Sequence, residues 1–176
     1  HMGNAIEQCF RLSSENTLLR KENDCYKKLT LLNDSQENII AVFNQTGALA
    51  IMACKIKYDG FMAINEIDYS IYKVFDNTVA FDISNRIAFA SIRKDKEFAA
   101  SIDCVAVAEA ERNSGYGTAV VTRLINDATL LNVTVLYGSI YKNDIDTSEK
   151  LARFDHFYRK LGFHLDYNTM KMYRNI

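Results

Sequence analysis

Val105-Ala-Val-Ala-Glu-Ala-Glu-Arg-Asn-Ser-Gly-Tyr-Gly-Thr118 is the stretch whose reading decides the fold. An apolar run passes into Arg112-x-x-Gly115-x-Gly117, and the residues that follow take helical spacing. The pattern predicts a strand that delivers the chain into a glycine loop opening a helix. Glycine has no Cβ, so backbone N–H groups in such a loop can converge on an anion, and a helix starting near Thr118 adds its positive dipole end. The loop therefore reads as a phosphate cradle that needs no lysine, with a plain surface turn as the bland alternative. G-x-G-x-x-G does not occur at this turn and G-x-x-x-x-G-K-[ST] occurs nowhere, which sets aside the two commonest nucleotide motifs.

Val121, Leu124, Ile125 and Ala128 fall at i, i+3, i+4 and i+7, and Asn132 is placed to stop that helix. Val133 to Tyr141, rich in β-branched and aromatic residues, predicts a strand, and strand, helix, strand implies a right-handed parallel crossover. Asp146-Thr-Ser-Glu149 has the form of a capping box, so a second helix is expected from Asp146. Its apolar residues are Leu151, Phe154, Tyr158 and Leu161, and Gly162-Phe163 is the expected left-handed stop with a hydrophobic closing contact.

Taken in order, Arg112-x-x-Gly115-x-Gly117 and Phe157-Tyr158-x-Lys160-Leu161-Gly162-Phe163 resemble the pyrophosphate loop and the helix end of the GNAT superfamily of acetyl-CoA-dependent N-acetyltransferases. The resemblance covers residues 77 to 174. It implies a single α+β domain over 1–176, with residues 3–76 as a variable N-terminal part. The implied sheet is mostly antiparallel, with one parallel pair splayed to admit acetyl-CoA and helices on both faces. The splayed strands would be Ser101 to Val107 and Thr134 to Tyr141. The resemblance further implies that pantetheine pairs with the backbone near Val105 and Val107. The pyrophosphate would lie on the N–H groups of Arg112, Asn113, Ser114, Gly115, Tyr116, Gly117 and Thr118, and Tyr158 would be the general acid that protonates the departing thiolate. The chain departs from the family pattern at Asn113, where glycine is usual, at Ser114, where a basic residue is common, and at Leu151, where asparagine is frequent. The polar connection from Lys142 to Lys150 is also longer than the pattern.

The acceptor class open to such a donor site is a small-molecule amine, a peptide N-terminus or a protein lysine. An amine with a pKa of about 10.4 is neutral only on the order of one part in a thousand at pH 7, so a base must take its proton. Asp103 is the candidate, two residues before Val105 and on the same face by strand alternation, with Glu97 also near. The competing structural roles are a core tyrosine with one satisfied hydroxyl for Tyr158 and a solvent-facing carboxylate for Asp103.

A formal charge of −1 over 176 residues, with 24% charged and 48% hydrophobic residues, gives no reason to invoke nucleic acid or an anionic membrane. No apolar run approaches a membrane span and no secretory leader pattern is present, so a soluble, cytoplasmic protein is expected. His1-Met2 reads as the remnant of a cleaved tag. Cys9, Cys25, Cys54 and Cys104 contain no C-x-x-C pair and read as reduced thiols, Cys104 as a small core residue; no metal motif is formed, and His156 and His164 are isolated.

Towards the N-terminus, Ile6, Cys9 and Phe10 suggest one helix, Leu18 to Leu32 a second, and Ser35 to Thr46 a third. Asp59-Gly60 marks a turn, Ile67, Tyr69 and Ile71 a half-buried strand, and Thr78–Ile83 with Ile87–Ile92 a hairpin around Ser84-Asn-Arg86. Tyr58, Phe61, Tyr69, Tyr72 and Tyr141 are candidates to line an acceptor pocket. A homodimer would form through the sheet edge or the N-terminal elements. Three functions fit: direct acetyl transfer to an amine in a ternary complex, a non-catalytic acyl-CoA-binding module, and an interaction domain whose glycine loop is only a turn.

Overall fold

The computed structural model describes residues 37–45, 48–74 and 85–176. Within them, β1 (Asn38–Gln45), β2 (Ala48–Tyr58), β3 (Ile64–Lys73), β4 (Arg86–Lys96) and β5 (Ala99–Val107) run antiparallel to one another in sequence order. Helix α1 (Tyr116–Asp127) then leads to β6 (Val135–Ser139), and α2 (Ser148–Lys160) leads to β7 (His164–Asp166) and β8 (Lys171–Asn175). The eight strands lie in the order β1-β2-β3-β4-β5-β6-β8-β7, with β5 and β6 parallel. The fold is thus α+β, a mostly antiparallel sheet with one parallel pair.

Strand register divides the sheet into two unlike faces. On one, Ala50, Met52 and Cys54 of β2 lie beside Tyr69 and Ile71 of β3, Ala88, Ala90 and Ile92 of β4, and Ala100 and Ile102 of β5. All are buried in one cluster with Val120, Val121, Leu124 and Ile125 of α1. The helical spacing read from the sequence is thus the face that α1 lays across β3, β4 and β5. The other face carries Lys55 and Lys57, Glu66, Asp68 and Ser70, Phe89, Ser91 and Arg93, and on β5 Ser101 and Cys104. Lys57 bridges both Glu66 and Asp68 there.

Several expectations are corrected. Residues 38–45, within the expected third helix, form β1: Ile39 and Val42 pack with Ile51 and Tyr72 on one side while Ile40 and Phe43 join the main core on the other. Apolar residues spaced for a helical stripe also serve a strand buried on both faces, and pairing with β2 decides between them. Residues 87–92 lie in β4, which pairs with β3 on one edge and β5 on the other. Helix α1 begins at Tyr116, two residues before the expected start. The cap of α2 is Thr147 instead of Asp146: the Lys150 N–H donates to Thr147 Oγ1, and Asp146 pairs with the Lys150 side chain. Residues 1–36, with the first two expected helices, and 75–84, with the first hairpin strand, lie outside the described residues.

Candidate active site

The two edges of β5 have different fates. Along β4 it is paired from Ala99 to Val107. Along β6 the pairing lasts three residues, Ala99↔Val135, Ala100↔Leu136 and Ser101↔Tyr137, after which β6 continues against β8 alone. From Ile102 to Val107 the β6-facing edge of β5 has no ladder partner among the described strands, so a wedge opens towards the carboxyl ends of the parallel pair. Ligands of sheets with parallel strands collect at such a separation.

A β-bulge shapes the mouth of the wedge. Ser91 faces Cys104 and Ile92 faces Ile102, which leaves Asp103 as the extra residue of β5. Alternation breaks there: Ile102 and then Val105 and Val107 belong to the core face, while Asp103 and Cys104 both turn to the polar face. Asp103 is thus not on the face of Val105, contrary to the sequence expectation. It accepts from Ser101 Oγ at 2.7 Å and pairs with Arg93 at 2.8 Å. Cys104 is exposed and free, not a core residue. Partial burial of its sulfur still pushes the thiol up from its ordinary range, against the opposing pull of Arg86.

Beyond Val107, a short 3-10 turn (Glu109–Glu111) feeds the glycine loop. Asn113 and Gly115 both take left-handed backbone, with φ of 67° and 83°. Asparagine tolerates that region better than other side chains, which accounts for its standing in a glycine position. Gly115 is the residue that starts α1, and no side chain caps the helix; the first turn carries no acidic residue either. The leading N–H groups of an α-helix have no intrahelical acceptor, so the start of α1 is an uncapped donor array with the positive dipole end behind it. A Cβ on Gly117 would lie 3.1 Å from Val107 Cγ2 and 3.6 Å from the Phe157 ring, so the absence of a side chain lets the helix start close on the end of β5 and on α2. Arg112 is exposed, with Glu109 at 3.9 Å.

Tyr158 is locked into place by the end of its own helix. The Phe163 N–H donates to the Tyr158 carbonyl at 3.0 Å and the Gly162 N–H to that of Arg159 at 2.9 Å, with Gly162 at φ 80°. This is the closed helix end predicted from Gly162-Phe163, and the rings of Tyr158 and Phe163 pack edge to face at 5.6 Å. Phe154 and Phe157 hold two further sides of the ring. Tyr158 is 8% exposed, yet its hydroxyl makes no hydrogen bond among the described residues and is not an enclosed polar atom. Burial pushes the phenol well above its ordinary pKa, helped by the charge of Asp144 and by that of Cys104 when it ionises. The hydroxyl therefore keeps its proton and can donate it.

Asp144, whose charge opposes ionisation of Tyr158, was not singled out from the sequence. It belongs to the 3-10 turn Lys142–Asp144 after β6, where Asn143 accepts from Lys150 Nζ of α2 at 3.2 Å. The only sequence signal was a polar connection of unusual length; its proximity to Tyr158 and Cys104 is a product of the fold. Leu151 is exposed and lines an open groove of about 750 Å³ on the outer side of α2 with Asp155, Arg159 and Tyr167, so it does not join the core as its spacing suggested. Of the aromatic candidates, Tyr69 and Tyr72 are buried and donate to Asp127 and Glu37. Tyr58 and Phe61 sit at the β2–β3 hairpin, which the register places at the opposite end of β5 from the glycine loop. Tyr141, exposed just beyond β6, is at the loop end. Among the described residues no group of three or more His, Cys, Asp or Glu could hold a metal ion, and no helix is long and apolar enough to cross a membrane.

The model of the acetyltransferase (GNAT) family matches residues 56–163, from β2 to the closing Phe163 of α2. Among solved structures, Ard1 from Thermoplasma volcanium is similar with a TM-score of 0.43 and 20% identity over 61% of this chain and 70% of its own. PaiA N-acetyltransferase from Thermoplasma acidophilum, in complex with coenzyme A, gives 0.46 and 12%, covering 64% of this chain and 62% of that one, less than two thirds of its length. A GNAT family acetyltransferase from Elizabethkingia anophelis with acetyl-CoA bound gives 0.45 and 16%, covering 64% and 77%. No curated protein matches the chain in sequence. The family match takes in well over half of the residues and contains the wedge, the uncapped helix and Tyr158: the chain belongs to the acetyltransferase (GNAT) family.

Proposed function

We propose that the protein transfers an acetyl group from acetyl-CoA to a primary amine by direct attack in a ternary complex. The observation that carries this reading is the conjunction of the unpaired edge of β5 with the uncapped start of α1. Residues of this chain fit the cofactor: the N–H groups from Arg112 to Thr118 would hold the pyrophosphate, and the free edge at Val105 and Val107 would pair with the pantetheine arm. Acetyl-CoA supplies the thioester. The chain's own contribution is to orient that arm and to stabilise charge where the thioester carbonyl becomes an oxyanion, with backbone N–H groups of the open edge as donors.

Tyr158 is assigned the proton that the departing thiolate needs, a role consistent with a phenol whose burial keeps it protonated. Asp103, turned by the bulge to the polar face beside Cys104, is assigned the amine proton, directly or through water. The Cys104 thiol, held above its ordinary pKa, is a weak nucleophile at neutral pH, which favours direct attack over an acyl-enzyme.

The test is release of CoA thiol on incubation with acetyl-CoA and a panel of small amines, peptides with free N-termini and lysine peptides. Turnover with any member is expected. Binding of acetyl-CoA without turnover on the whole panel would contradict the transfer reading and leave an acyl-CoA-binding module.

A further inference from the structure

Cys104 is an exposed, free thiol on β5. It is the first residue after the bulge of β5, three residues past the last one paired with β6, and it faces Ser91 across the ladder to β4. From Val107, which touches the glycine loop, it lies about 10 Å back along the strand at roughly 3.3 Å per residue. An arm that begins at the start of α1 and follows the free edge of β5 therefore runs from Val107 past Val105 to the level of Cys104. A second group points at the same place. The Tyr158 ring is more than nine-tenths buried, its hydroxyl has no protein hydrogen-bond partner among the described residues, and the Asp144 carboxylate, together with Cys104 were it ionised, opposes loss of its proton. An open phenol hydroxyl and an exposed free thiol thus flank the end of the wedge where the thiol terminus of a CoA molecule would arrive.

We infer that Cys104 forms a mixed disulfide with CoA, and that CoA disulfide is the reactant that delivers it and so closes the wedge to acetyl-CoA. This inference rests on the acetyl-CoA reading of the wedge. The Cys104 thiol loses its proton to solvent and its sulfur attacks one sulfur of CoA disulfide. The Cys104–CoA S–S bond forms as the S–S bond of the reagent breaks, and one CoA leaves as a thiolate that takes a proton from Tyr158 or water. Two electrons stay within the disulfide pool, Cys104 being oxidised and one CoA reduced, and no other oxidant is needed. Because the thiol is held protonated, Cys104 reacts slowly with disulfides that merely collide with it, so a disulfide held by the wedge gains most from proximity.

The reduced full chain is incubated at neutral pH with CoA disulfide or with the same concentration of glutathione disulfide, followed by intact mass and by peptide mapping. The expected result is one CoA per chain on Cys104, formed at least ten times faster than the glutathione adduct, suppressed by excess acetyl-CoA and absent in Cys104→Ser. Equal rates for the two disulfides, a CoA adduct mapping to another cysteine, or no adduct on Cys104 would overturn the inference. The melting temperature of the unmodified chain with and without acetyl-CoA separates the two readings. If acetyl-CoA raises it and no adduct forms, only the inference falls; if acetyl-CoA has no effect, the wedge reading falls and takes the inference with it.

Discussion

Helices α1 and α2 follow the two parallel strands and begin in opposite ways. The start of α2 is sealed: Thr147 caps it through the Lys150 N–H, Glu149 lies in its first turn, and Asp146 braces Lys150. The start of α1 is open, with left-handed Gly115 in the capping position, no side-chain acceptor and no acid in the first turn. A sealed start stabilises the fold. An open one leaves N–H groups and a positive dipole end for an external anion, and here it stands at the end of β5, whose β6-facing edge is unpaired from Ile102 on among the described strands. The difference teaches that the site is made chiefly from backbone, and that its side chains act mainly by being absent, as at Gly117.

The contrast can be broken at α1 with the largest effect. Gly117→Val places a branched side chain against Val107 and Phe157, so the start of α1 must move off β5; loss of any acetyl-CoA-dependent rise in melting temperature is expected. Tyr158→Phe tests the sealed helix's contribution to chemistry. It should lower kcat by about 100-fold, while the acetyl-CoA melting shift persists, because the ring still fills its pocket among Phe154, Phe157 and Phe163. Thr147→Ala unseals α2 and is expected to cost about 1 kcal/mol in unfolding experiments, a few degrees of Tm for a chain of this size, with the acetyl-CoA shift unchanged.

The smallest effect concerns pH. Arg159 and then the Tyr167 hydroxyl hold the Asp155 carboxyl below its ordinary range, so the unfolded chain binds a proton there at a pH where the native chain does not. That contribution is present above about pH 4 and is lost as pH falls further. Asp155→Asn should flatten the fall of Tm on acidification and leave Tm at neutral pH slightly lower.

The sequence was legible where local chemistry decides structure. The glycine loop, the two helices, the left-handed Asn132 and the closure at Gly162-Phe163 all follow from backbone conformation and short-range spacing. It was opaque where distant pairing decides. Ile39, Ile40 and Phe43 suit a helical stripe as well as a strand, and only the ladder to β2 makes them β1. The bulge at Asp103 has no sequence mark, so period-2 counting put Asp103 and Val105 on one face and hid Cys104 in the core. Asp144 acquires its relation to Tyr158 only when the turn after β6 folds beside α2.

The most direct test of the open helix start is the melting temperature of the chain with and without acetyl-CoA. At about 100 times its dissociation constant the ligand should add roughly 2.7 kcal/mol, an upward shift of about 5–10 °C for a chain of this size. An unchanged melting temperature at millimolar acetyl-CoA would contradict the account and reduce the glycine loop to a turn.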